Sequence, residues 1–134
     1  LQPDALSALQ AVQRAGISQS MVSATEESML VQMLDHFHIR RYFSRVKGLD
    51  DCHATSKVLL GVALREELQL TNEQTLLIGD TLHDLETAQA IGCRCLLFSG
   101  GHQDPRRLAN AGVALVYGLN ALIPTMNPPT HGLL

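Results

Sequence analysis

Two periods of apolar side chains take turns along this chain. Residues 3–15 carry Leu6, Leu9 and Val12 at helical spacing, with Ala8, Ala11 and Ala15 as a second stripe. Pro3 suits the first turn of that helix and Gly16 its stop. Residues 17–24 (ISQSMVSA) predict a strand whose apolar content is Ile17, Met21 and Val22. Residues 25–37 return to helical spacing through Met29, Met33, Leu34 and Phe37, and 39–43 predict a short helical extension. A strand is expected at 45–49, a polar loop at 50–54, and a helix at 56–68 through Val58, Leu59, Val62, Ala63 and Leu64. Thr75 to Ile78 read as a buried strand ended by Gly79. Leu82, Leu85, Ala88 and Ile91 then predict a helix with Gly92 as its C-cap. A strand at 94–98, a loop at 99–102, a short helix at 104–110, a small strand at 114–117 and a helical turn at 119–123 follow.

Alternating helices and strands with short connections imply parallel strands, right-handed crossovers and helices on both faces of the sheet. The expectation is a three-layer, Rossmann-like α/β sandwich of four strands plus a weak fifth, with about five helices. A length of 134 residues suits one core. The predicted division is a core domain over 1–126 and a flexible tail over 127–134 (NPPTHGLL). The chain starts at Leu1 without an initiator Met, inside what reads as a helix already under way, so a fragment of a longer protein is expected.

Composition narrows the classes. Hydrophobic residues make up 46% and charged residues 17%, which is globular rather than disordered. The net charge of −3, from 10 basic and 13 acidic residues, comes without a basic cluster, so nucleic acid is not an expected partner. No apolar run approaches a membrane span. Three cysteines, an odd count, with no secretory signal point to free thiols and a cytoplasmic location. Cys93 and Cys95 would share one side of a strand as small apolar groups, and no Cys/His set has zinc spacing.

The chemistry gathers at predicted strand ends. The first strand ends at Ser23, the loop after the second leads to Lys57, and the third ends at Asp80, with Asp84 one turn into the next helix. In a parallel sheet these ends share the edge where open α/β sheets bind ligands. A hydroxyl and an ammonium suit a phosphate; two carboxylates suit a hard cation such as Mg²⁺. Each residue also has a plainer reading. Ser23 with Glu26 forms a capping box, Asp80 could be an N-cap, and Asp84 and Glu86 could be first-turn acids. Lys57 could be a surface lysine, but the helix dipole disfavours a cation there, which a facing anion or carboxylate such as Asp84 would explain. His102 after Gly100-Gly101 stays outside the core set, and His83 is notable only for lying between the two aspartates.

Ser23 after a strand, Lys57 ahead of a helix, and Gly79-Asp80-Thr81-Leu82-His83-Asp84 with the following Ala90-Ile91-Gly92 resemble the second, third and fourth motifs of the haloacid dehalogenase superfamily. The phosphoglycolate-phosphatase-like branch is the most similar. The resemblance runs from Pro3 to about Ile123; one departure is Val58 after Lys57, where many relatives have Pro. It implies a Mg²⁺-dependent phosphatase acting on a small phosphorylated metabolite through an aspartyl-phosphate. Ser23 and Lys57 would bind phosphate, Asp80 would ligate the metal, and Asp84 would ligate it or orient Lys57. The family's D-x-D motif, which bears the nucleophile, is absent from this sequence, as is the helical cap.

The resemblance places the nucleophile strand between the strands at 17–24 and 75–79. Its absence leaves backbone groups to be satisfied on both neighbours. A replacement is therefore expected: another segment, a second copy of the chain, or direct contact of the flanking strands. The fragment alone is expected to be inactive. A non-catalytic phosphate- and metal-binding module is the alternative, and a plain α/β scaffold with incidental carboxylates a third.

Overall fold

The computed structural model of the chain describes residues 1–50, 56–101, 103–121 and 132–133. Helices α1 (Ala5–Arg14), α2 (Glu27–His36), α3 (Lys57–Glu67), α4 (Leu82–Ile91) and α5 (Pro105–Ala109) alternate with strands β1 (Ser18–Glu26), β2 (Arg45–Leu49), β3 (Thr75–Gly79), β4 (Arg94–Phe98) and β5 (Ala114–Val116). Short 3₁₀ turns lie at Arg40–Tyr42 and Leu119–Ala121. A two-residue strand, β6 (Gly132–Leu133), completes the set. The strands form a six-stranded sheet in the order β2-β1-β6-β3-β4-β5, and every pairing is parallel. No described helix is long and apolar enough to cross a membrane.

The order reverses direction between β1 and β3. From β1 the chain steps outward to β2, then crosses back to β3 and steps outward the other way to β4 and β5. That reversal is the topological switch point, where the carboxyl ends of two diverging strands open a crevice. The expected replacement strand is found here. β6 pairs Gly132 with Ser18 and Thr75, and Leu133 with Gln19 and Leu76. Gly132 and Leu133 are thus sheet residues. The reason is the unpaired backbone on β1 and β3, which a nearby extended segment can satisfy. Residues 127–131 and 134 lie outside the described residues, as does most of the predicted 50–54 loop with Cys52 and His53.

Both faces of the sheet are packed. Ala8 and Val12 of α1 sit on Leu76, Leu96, Phe98 and Val116. On the other face Leu77 packs with Ala88 and Ile91, bordered by Val58, Val62, Cys93 and Cys95. Gly61 lets α3 approach α4 closely: a Cβ there would lie 2.4 Å from Ile91 Cδ1. The side chains beside Cys93 and Cys95 are those of small-apolar packing, and burial pushes both thiols up, Cys95 to about 12.

α2 corrects one phase assignment. Of the predicted Met29, Met33, Leu34 and Phe37, only Leu34 belongs to the buried stripe, which it forms with Leu30 against Tyr42 and Val46; Met29, Met33 and Phe37 form a second stripe that faces outward. The two stripes lie one residue apart on the same helix, so i, i+4 spacing fits both. Similarly, Leu6 and Leu59 are exposed, while Ala8 and Val12 on α1 and Gly61 and Leu64 on α3 are buried. β1 runs two residues past the predicted end because a bulge accommodates the extra length. Val22 pairs with Lys47 and Glu26 with Leu49, so three residues of β1 stand opposite Gly48.

This packing sets a stability contrast. Leu34→Ala is expected to cost about 2–5 kcal/mol by cavity formation, and Met33→Ala to stay within about 0.5 kcal/mol. Urea unfolding of the two variants measures the difference; equal losses would place the wrong face of α2 in the core.

Candidate functional site at the sheet switch point

The turn after β3 is built around one carboxylate. Gly79 ends the strand, and a Cβ there would stand 2.2 Å from Asp84 Cβ, so the turn folds directly onto the Asp84 side chain. Thr81, not Asp80, is the N-cap of α4. Its Oγ1 accepts from the Asp84 N–H at 3.1 Å, and Asp84 Oδ2 accepts from the N–H groups of Asp80 at 3.0 Å and Thr81 at 3.1 Å and from Thr81 Oγ1 at 2.9 Å. This is a capping box, with Asp84 as its acidic member. The Thr-x-x-Asp spacing at 81–84 carries this signal in the sequence, beside an Asp80 that has capping propensity of its own.

Asp84 holds a second partner. Its Oδ1 accepts from Lys57 Nζ, the first residue of α3. Asp84 is 4% exposed, and the Lys57 side chain 23%. The cation at a helix N-terminus, unfavourable towards its own dipole, is matched by this nearly buried carboxylate. Ser56 caps α3 instead, its hydroxyl accepting from the Leu59 N–H at 3.2 Å. Burial acts to raise the Asp84 pKa, but the Lys57 ammonium and the Thr81 and Asp80 donors outweigh it and hold the carboxyl below its usual value.

The loop after β4 closes over the same turn. Gln103 Oε1 accepts from the Leu82 N–H at 2.6 Å, satisfying a first-turn donor of α4. A Cβ on Gly101 would fall 2.1 Å from Asp80 Oδ2, so only glycine lets this loop lie against the Asp80 carboxylate. Neither contact carries a recognisable sequence signal, because both are made across the sheet edge. His102 lies outside the described residues.

Ser23 is half-buried at the β1 bulge. Its Oγ donates to Thr25 Oγ1 and accepts from the Thr25 N–H, each at 3.1 Å. It does not cap α2. Glu26 does, accepting from the Ser28 N–H at 3.1 Å, so the Ser23/Glu26 capping box is not formed. Val22, next to Ser23, lines one narrow crevice together with Lys57, Gly61, Leu77 and Thr87. Val22 of β1 and Leu77 of β3 thus border one crevice with the start of α3. His83 is exposed and contacts Glu86 at 3.3 Å. A wider depression of about 560 Å³ opens beside Glu26, Glu27 and Asp50, whose charges make it a poor place for an anion.

Among the described residues no three His, Cys, Asp or Glu side chains gather into a metal cage. Asp84 already accepts from Lys57 and from three turn donors. One or two carboxylates completed by water and phosphate oxygens is the sparse pattern Mg²⁺ takes.

A parallel α/β sheet with a lysine–aspartate pair at its switch point defines a Rossmann-like domain with a charged carboxyl edge. The haloacid dehalogenase-like hydrolase family model matches residues 1–98, and the chain belongs to that family. The phosphoglycolate phosphatase of Salmonella paratyphi A is 30% identical over 131 residues, covering 95% of this chain and 51% of that protein. The Escherichia coli K12 phosphoglycolate phosphatase is 27% identical over the same length. The chain thus spans about half the length of the curated relatives it matches. A predicted phosphatase from Clostridium acetobutylicum superposes with a TM-score of 0.85 at 20% identity, over 92% of this chain and 58% of that one. A haloacid dehalogenase-like family protein from Streptococcus pneumoniae gives 0.86 at 20%, over 95% and 60%. These structures share the fold.

Removing the Asp84 carboxylate strands a cation and opens the turn. Asp84→Ala is expected to cost about 3–5 kcal/mol, as for one partner of a buried pair. Because the folded-state pKa is lowered, the Asp84 contribution is complete above the unfolded value. It disappears as pH falls through the folded one. Stability measured from pH 6 down to pH 2 should fall more steeply for the wild type than for Asp84→Ala; parallel curves would contradict the pairing.

Proposed function

We propose that the full-length protein is a Mg²⁺-dependent phosphomonoester hydrolase of the haloacid dehalogenase family that works through an aspartyl-phosphate. The observation that carries this reading is the Lys57–Asp84 pair beside Asp80 at the switch point. The names of the relatives support it and make phosphoglycolate the first substrate to test. The free, half-buried Cys93 and Cys95 suit a reducing cytoplasm.

In this reading Lys57 offers its ammonium to the phosphoryl oxygens, held there by Asp84, which acts as a positioning residue. Ser23 donates its hydroxyl to another phosphoryl oxygen, releasing Thr25 Oγ1. Asp80 holds the cation, which when bound draws charge from the phosphoryl group. The nucleophile is an aspartate outside these 134 residues, because the sequence contains no D-x-D. The 134-residue chain by itself should therefore hydrolyse nothing. Pairing with the segment that carries that aspartate, or self-association, would complete the sheet.

The full-length enzyme, assayed on p-nitrophenyl phosphate and phosphoglycolate with and without Mg²⁺, tests this. Lys57→Ala is expected to lower kcat/KM about 10²–10³-fold, the scale of losing one electrostatic stabiliser. Asp80→Asn should weaken activation by Mg²⁺. Rates unchanged in either variant would contradict the assignment. Phosphate or Mg²⁺ binding with no turnover on any phosphomonoester would favour a non-catalytic binding module.

A further inference from the structure

Two arginines and a phenol converge where the last turn of α1 meets the 3₁₀ turn at Arg40–Tyr42. Tyr42 is buried in the cluster of Leu30, Leu34 and Val46, which fixes its ring. Its hydroxyl accepts from Gln10 Nε2 and from Arg41 Nη2, each at 3.1 Å. The Arg41 guanidinium carbon also lies 5.1 Å from the centroid of the Tyr42 ring. Arg14 follows Gln10 by one turn of α1 on the same face, because residues four apart on a helix are neighbours. The Gln10 and Arg41 donors, with the charges of Arg41 and Arg14, hold the phenol below its usual range.

Plainer roles account for part of this arrangement. A cation in the last turn of α1 suits the helix dipole, and an arginine over a tyrosine ring is a cation–π contact. Neither role calls for two guanidinium groups whose charges act on one hydroxyl. Among the described residues the ion pairs are Arg45 and Lys47 with Glu67, Lys57 with Asp84, and His83 with Glu86. Arg14 and Arg41, both exposed, thus have no carboxylate partner among the described residues. A hydroxyl that accepts twice still has its own hydrogen to donate, and no described residue takes it. Like charges held together without a counter-charge repel, so an anion stabilises them.

We propose that Arg14, Arg41 and the Tyr42 hydroxyl form a binding site for a dianionic phosphate group. Guanidinium forks and an O–H donor match the acceptor-only oxygens of a phosphate, and several charge-assisted hydrogen bonds can form at once. Gln10 holds the phenol oxygen from the α1 side. Arg14 ends α1 just ahead of β1, and Tyr42 ends the 3₁₀ turn just ahead of β2. The site therefore lies at the amino ends of these strands, whereas Lys57 and Asp84 start helices that follow the carboxyl ends of β2 and β3. It stands independently of the hydrolase reading. Its ligand is the free phosphate ion or the terminal phosphate of a small solute.

The test titrates the full-length protein with inorganic phosphate at pH 8 and fixed ionic strength, and follows the side-chain Nε–H signals of Arg14 and Arg41 by NMR. Reading these two signals separates the site from any phosphate held at the switch-point edge. The expected result is a saturable shift of both signals. Arg14→Gln and Arg41→Gln should each weaken phosphate binding about ten-fold or more, the scale of one hydrogen bond to a charged group. Tyr42→Phe keeps the buried ring, removes the donor and should weaken binding several-fold. Circular dichroism of the two arginine variants should match the wild type, since both side chains are exposed. Methylphosphonate binding as tightly as phosphate would uphold the site and mark it for the terminal phosphate of a solute; tighter binding of phosphate would uphold it for the free ion. Shifts reproduced by chloride at the same concentration, or an affinity unchanged in both arginine variants, overturn the proposal.

Discussion

The Lys57–Asp84 ion pair joins the two halves of the charged edge. Lys57 starts α3 and Asp84 lies in the first turn of α4, and the two helices follow strands on opposite sides of the switch point. A lysine at a helix N-terminus opposes its own dipole, and a carboxylate this deeply buried needs partners to stay ionised. Each side chain resolves the other's difficulty. The turn donors from Asp80 and Thr81 fix the second carboxylate oxygen, so Asp84 cannot swing away from Lys57 without breaking the start of α4.

Close approach of backbone to carboxylate is the second constraint. Gly79 admits the Asp84 side chain beneath the strand end, and Gly101 brings the loop after β4 against Asp80. Both aspartates are held by backbone that could not come so near with a Cβ in the way. Electrostatic catalysis depends on groups that are already in place before charge develops. The edge has that character in its lysine and turn, whereas the Ser23 hydroxyl is engaged locally with Thr25 at a bulge.

Much of this was legible in the order of residues. The strands at 45–49, 75–79 and 94–98 and the helix closed by Gly92 agree with the structure to the residue; 75–79 and 94–98 are short, mostly apolar runs bounded by glycine or polar turns. Lys57 stood out as a cation at the wrong end of a helix. Less legible was anything decided by packing phase or by contact across the sheet. The Met29/Met33 and Leu30/Leu34 stripes have the same spacing, and only tertiary contacts choose between them. Gln103 capping α4 and Gly101 against Asp80 join residues about twenty positions apart with no local periodicity. The sheet position of Gly132 and Leu133 follows from a vacancy elsewhere, which a tail rich in proline and polar residues does not advertise.

A double-mutant cycle on Lys57 and Asp84 puts the central claim to the most direct test. Lys57→Met, Asp84→Asn and the double variant, unfolded in urea alongside the wild type, isolate the coupling between the two side chains. The pairing described here requires a coupling of about 2 kcal/mol or more, in the range found for residues in direct contact. Additivity within about 0.5 kcal/mol would mean that the two charges act independently and that the edge is not held together by them.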